Sequence, residues 1–100
     1  MHRNVIKLEI AGQLQDFRLD TSIWHILVPS VYVWRMPGVQ VYPTVMHSVD
    51  TADESISVVA AACLPLRLGG QRFTGHALVS NDLRIGVLGL AWLMLPGVQW

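Results

Sequence analysis

No apolar stretch of this chain is long. The longest, Ile85 to Leu95, covers eleven residues, whereas a membrane-spanning helix needs about 20. The others are shorter and broken by turn-forming residues, which points to strands. Ile6, Leu8 and Ile10 alternate with Lys7 and Glu9, the period-two pattern of a half-buried strand. Ala11-Gly12-Gln13 reads as a turn and Leu14 to Leu19 as the returning strand. Trp24 to Val28, closed by Pro29-Ser30, reads as a buried strand. Val31 to Trp34 and Val39 to Tyr42 flank the turn signal Met36-Pro37-Gly38.

Thr44 to Val49 and Ile56 to Ala62 surround the polar segment Asp50 to Ser55, which predicts a hairpin with a solvated tip. Leu64 to Leu68, Gly69-Gly70-Gln71 and Phe73 to Val79 predict a second hairpin. The one good helix candidate is short, Gly89 to Met94, stopped by Pro96-Gly97. Val98 to Trp100 reads as a terminal strand. The pattern predicts a single compact, mostly β domain over residues 1–100.

Composition bears on partners. Apolar residues make up 52% of the 100 residues and charged ones 14%, a balance that suits a small domain completing its core against a partner. Seven basic and seven acidic residues give zero net charge and form no basic stripe, so no nucleic-acid partner is expected. Cys63 is the single cysteine; it excludes an intrachain disulfide and suits a reducing compartment. The N-terminal Met-His-Arg-Asn passes straight into the alternating pattern, so neither a secretion signal nor a membrane segment is expected.

His2, His25, His47 and His76 are scattered, without metal-ligand spacing, and no metal or other cofactor is expected. Ser22 and His25 lack the strand, nucleophile turn and helix of a serine hydrolase.

Asp20, in Leu19-Asp20-Thr21-Ser22, stands between two apolar runs and is the candidate for acid–base chemistry. A carboxylate there could cap backbone N–H groups of a turn. It could also be a loop carboxylate whose proton affinity is tuned for acid–base work. Position alone does not decide between these.

The wider pattern resembles the retropepsins, the aspartic proteases of retroviruses and retrotransposons. Lys7 to Leu14 followed by Leu19-Asp20-Thr21-Ser22 is similar to that family's strand, Gly-Gln turn, second strand and Asp-Thr/Ser-Gly-Ala loop. Thr51-Ala52-Asp53-Glu54-Ser55 resembles its flap, and Leu64 to Phe73 the hairpin after it. Leu78-Val79 and Val87-Leu88-Gly89-Leu90-Ala91-Trp92-Leu93 resemble the late strand and the entry to the C-terminal helix.

The resemblance implies an all-β, retropepsin-like acid protease fold: a closed, barrel-like subunit with one short C-terminal helix, working as a homodimer on a polypeptide substrate. It implies a soluble protein of the cytoplasm, a virion or a virus-like particle. Asp20, Thr21 and Ser22 are then the catalytic loop. Asp20 of each subunit forms the catalytic pair, Thr21 bridges the two loops, and Ser22 offers its backbone N–H to the carboxylates. Ile23, Trp24 and His25 on the floor, and Ala52, Asp53, Glu54 and Ser55 in the flap, are the substrate-binding candidates.

Several positions depart from the family pattern. Ser22 stands where Gly is usual, Ile23 where a small residue is usual, Glu54 at a flap position usually held by Gly, and Ala91 where an acidic or amide residue is common. These departures leave a second reading beside the protease: a catalytically inactive retropepsin-fold module for dimerisation or peptide binding.

Overall fold

The computed structural model describes residues 5–34 and 36–95. Its strands are β1 (Val5–Ile10), β2 (Gln13–Leu19), β3 (Ile26–Pro29), β4 (Gln40–Tyr42), β5 (Ser48–Asp50), β6 (Ser55–Ser57), β7 (Ala60–Leu68), β8 (Gln71–Ser80) and β9 (Gly86–Leu88). The main sheet runs β1-β2-β9-β3-β8-β7-β4. It closes on itself where Glu9 and Ile10 of β1 pair with Arg67 and Leu66 of β7. Six strands therefore form a closed barrel, and β4 extends it as an edge beside β7. β5 and β6 form a separate two-stranded ribbon.

The alternation read from the sequence is what lets the barrel close. Leu8 and Ile10 of β1, Phe17 of β2, Leu64 and Leu66 of β7 and Phe73 of β8 all point inward at period two. They meet Ile26, Val28, Val79, Leu88 and Trp92 in one core. On the other face of β3, Leu27 joins Ile23, Val49, Ile56, Val58, Leu78 and Val87 in a second cluster beneath the β5–β6 ribbon. Phe17 packs edge-on to Tyr32 at 5.7 Å between ring centroids, and Phe73 to Trp92 at 5.4 Å. Such aromatic pairs add stability beyond the area they bury. Gly86 lies against the Phe17 ring, where a Cβ would collide with it.

The β1–β2 hairpin is closed by a two-residue turn, with Ala11 at φ 51° and Gly12 at φ 88°. Both signs suit the twist of the flanking strands, but the left-handed region costs alanine about 1 kcal/mol. Asn tolerates this conformation better. Ala11→Asn is expected to raise stability by about 0.5–1 kcal/mol in a urea titration.

Four readings of local structure change. Val31 to Trp34 is not a strand. Ser30–Tyr32 is a short 3-10 turn, held by Val33 and Trp34 N–H groups donating to the Ser30 carbonyl and by the Tyr32 hydroxyl donating to the Asp16 carbonyl at 2.8 Å. The strand expected from Trp24 begins only at Ile26, because the carbonyls of Ile23, Trp24 and His25 are engaged elsewhere. The tip hairpin is shorter than its apolar flanks suggest. β6 stops at Ser57, and β7 starts afresh at Ala60 and runs unbroken to Leu68. The helix at Gly89 to Met94 is a 3-10 helix over Leu90–Met94. The terminal strand expected at Val98 to Trp100 lies outside the described residues.

Candidate active site

β2 and β3 both pair with β9, one parallel and the other antiparallel. The loop joining them must therefore pass over the C-terminal end of β9, and Asp20 stands at its start. A ladder of backbone hydrogen bonds fastens this loop. Asp20 N–H donates to the Leu88 carbonyl at 3.0 Å, and Gly89 N–H to that of His25 at 3.1 Å. Leu90 N–H reaches the Ile23 carbonyl at 3.0 Å and Ala91 N–H the Trp24 carbonyl at 2.8 Å. These bonds pair the loop's backbone groups with residues 88–91 and fix the direction in which Asp20 points. Gly89 is required because its α-carbon sits against the Trp24–His25 peptide. A Cβ there would lie 2.5 Å from the His25 carbonyl oxygen and 2.7 Å from that of Trp24.

The Asp20 carboxylate is mostly shielded, with 18% of the side chain exposed. Its Oδ1 accepts the backbone N–H of Ser22 at 2.9 Å and also the Ser22 hydroxyl. Its Oδ2 lies 3.4 Å from Nη1 of Arg18. The Ser22 hydroxyl bond is the largest influence holding the Asp20 carboxyl below the ordinary carboxylate range. Burial opposes it, while the Ser22 N–H and the Arg18 cation support it.

A carboxyl lowered on folding stabilises the fold above the unfolded-state pKa of about 3.9, and that stability is lost as pH falls through the lower folded value. Ser22→Gly keeps the backbone bond and loses the hydroxyl. Its Asp20 carboxyl is expected to titrate at higher pH than in the parent protein, read by carbon-13 NMR of the side-chain carboxyl.

The polar tip between β5 and β6 roofs the same place. Thr51 organises it: its N–H donates to the Glu54 carbonyl at 2.8 Å. Its hydroxyl accepts from Asp53 N–H at 3.3 Å and Glu54 N–H at 3.0 Å, and donates to the Glu54 carbonyl at 3.0 Å. Glu54 fits this turn without a left-handed backbone, since Ala11 is the only non-glycine residue at positive φ among the described residues. Between roof and loop lies a cleft of about 550 Å³ lined by Arg18, Asp20, Ser22, Ala52, Asp53 and Glu54, among others.

The structure thus brings together Asp20, Ser22, Ala52, Asp53 and Glu54 around one cleft. Ser55 opens β6 beside it, opposite Asp50. Thr21 is exposed on the other side of the loop, over an apolar hollow of about 170 Å³ with Leu88, Leu90 and Trp92. Ile23 is 5% exposed and packs into the second core cluster, away from the cleft. Trp24 is half exposed and His25 partly buried, and their carbonyls serve the ladder to residues 89–91.

Two contributors escape a reading by pattern. Arg18 looks like an ordinary outward strand residue. Asp82 anchors the roof by accepting Ser57 N–H at 3.1 Å, while its own N–H donates to the buried Ser80 hydroxyl at 3.0 Å. The Ser80-Asn81-Asp82 cluster at the end of β8 is the available signal, as a turn rich in side-chain acceptors. Among the described residues no group of three metal-ligating side chains converges, and no helix is long and apolar enough to cross a membrane.

No protein-family model matches the sequence, and no curated protein does. Solved structures do match the fold. The chain is similar to the protease of EIAV in complex with the inhibitor HBY-793, with a TM-score of 0.76, 14% identity, and coverage of 93% of this chain and 86% of that one. It is also similar to the retroviral protease-like domain of Ddi1 from Leishmania major, with a TM-score of 0.71, 15% identity, and coverage of 94% and 77%. Closed six-stranded barrel, crossing β2–β3 loop and separate roofing ribbon together identify the architecture: this chain has the retropepsin-like fold.

Proposed function

We propose that this chain is one subunit of a homodimeric aspartic endopeptidase, with Asp20 of each subunit meeting at a two-fold axis. The observation that carries this reading is the Asp20 carboxylate, anchored through Oδ1 by Ser22 and set in a cleft roofed by the Thr51–Glu54 turn. One such loop supplies half of a two-carboxylate site. The apolar hollow beside exposed Thr21 supports contact with a second copy there.

Two adjacent carboxylates resist ionising together, and sharing one proton is the established pattern of aspartic proteases. In this reading the ionised Asp20 takes a proton from water as the water attacks the peptide carbonyl. The protonated Asp20 donates to the carbonyl oxygen, and a proton then passes to the departing amine. Thr21 would link the two loops. The roof would close over an extended peptide, which Ala52, Asp53, Glu54 and Ser55 would meet from above.

The experiment is cleavage of an apolar peptide library by purified protein at acid pH. Cleavage is expected, with inhibition by a statine-type compound, and the specific rate is expected to rise with protein concentration as subunits pair. Protein that is dimeric and folded yet cleaves no member of the library would overturn the proposal.

A further inference from the structure

Arg18 stands two residues before Asp20, so the two side chains project from the same face of the chain. The guanidinium Nη1 lies 3.4 Å from Oδ2, with the side chains 31% and 18% exposed. Ser22 occupies the other carboxylate oxygen. Each oxygen of Asp20 thus has its own partner, a neutral donor on one and a cation on the other.

The surrounding charges are few. Asp16, next along that face of β2, is engaged by Lys7 of β1 at 2.7 Å. The β1 and β9 residues paired with Arg18 are Val5 and Val87, which carry no charge. Leu88, Gly89 and Leu90 beneath the loop carry none either. From the roof, Asp53 and Glu54 face the cleft, both exposed. Arg18 is therefore the one cation among the described residues lining this cleft.

We propose that Arg18 is a positioning residue that sets the pH at which the Asp20 pair takes up its shared proton. The inference rests on the reading of Asp20 as half of a protease pair. Two ionised Asp20 side chains carry two negative charges, and two Arg18 side chains offset them. The doubly ionised pair, which has no proton to give to the carbonyl oxygen, is thereby favoured down to lower pH than in a pair without cations. Asp53 and Glu54 push the other way, but from solvent, where screening weakens them. Arg18 acts as a gate that keeps the pair idle at neutral pH and releases it in acid.

The test compares the parent protein with Arg18→Met, which keeps an unbranched stem without charge, and with Arg18→Lys, which keeps the charge. One readout is the titration of the Asp20 carboxyl by carbon-13 NMR. The other is kcat/KM for a fluorogenic peptide from about pH 4 to about pH 8. In Arg18→Met the carboxyl titration and both limbs of the rate profile are expected to move to higher pH. The rate near neutral pH is expected to rise roughly two- to fivefold. Arg18→Lys is expected to retain the parent profile.

An unchanged Asp20 titration in Arg18→Met overturns the inference, whatever the rates do. So does an Arg18→Lys profile that follows Arg18→Met, since packing rather than charge would then be at work. A titration that moves in a protein cleaving no peptide would leave the hold of Arg18 on Asp20 in place and overturn the protease reading instead.

Discussion

Asp20→Asn is expected to lower peptide cleavage by about 10³-fold or more at every pH, with the barrel intact by circular dichroism. The amide fills the same volume and still accepts the Ser22 N–H through its oxygen, so the loop has little reason to move. What disappears is the ability to take a proton from water. A residual rate equal to that of the parent protein would assign the cleavage to a contaminant.

The same substitution separates chemistry from assembly. In the proposed dimer, two ionised Asp20 side chains repel at the axis, and the amide removes that repulsion. The Asp20→Asn subunits are therefore expected to pair more tightly than the parent near neutral pH, measured by sedimentation across a concentration series. In the parent protein the repulsion is relieved by taking up a proton, so its dimerisation should strengthen as pH falls. The variant should show much less of that dependence.

Gly89→Ala is the second large effect. The added Cβ would meet two backbone carbonyl oxygens, those of His25 and Trp24, at 2.5 and 2.7 Å. A flexible side chain could swing aside, but these carbonyls belong to the ladder that holds the Asp20 loop. Relief requires the loop to lift from residues 88–91. The expected cost is about 2–4 kcal/mol in denaturant unfolding, together with loss of cleavage at temperatures where the protein is still folded. An Ala variant with parental stability and activity would show that the loop is not seated as described.

Much of this arrangement is legible in the residues themselves. Period-two alternation marks β1, while Gly12, the polar run Asp50 to Ser55 and Gly69-Gly70 mark the hairpin ends. The order of Asp20-Thr21-Ser22, the Thr51 to Ser55 segment and the Val87 to Trp92 segment carries the fold resemblance. What is not legible depends on contacts distant in sequence. Ser30–Tyr32 coils because the Tyr32 hydroxyl reaches the Asp16 carbonyl, which no local pattern reveals. Ile23 reads as bulk on the substrate floor, yet the loop turns it inward among Leu27, Val49 and Ile56. Glu54 stands at a flap position usually held by glycine, but Thr51 builds a turn that needs no left-handed residue there. Arg18 is invisible as a site residue until the loop has been folded beside it.

The ladder between residues 20–25 and 88–91 also has a consequence in time. Asp20 and its anchor Leu88 are separated by 68 positions, 88 minus 20. At a synthesis rate of about 5–20 residues per second, roughly 3–14 s pass between the making of the aspartate and the making of its support. The β2–β9 and β3–β8 pairings are parallel, with Phe17 opposite Gly86 and Ile26 opposite Ala77, and contacts this distant in sequence form slowly. A nascent chain thus carries its acidic loop unassembled until nearly all of the barrel has been made.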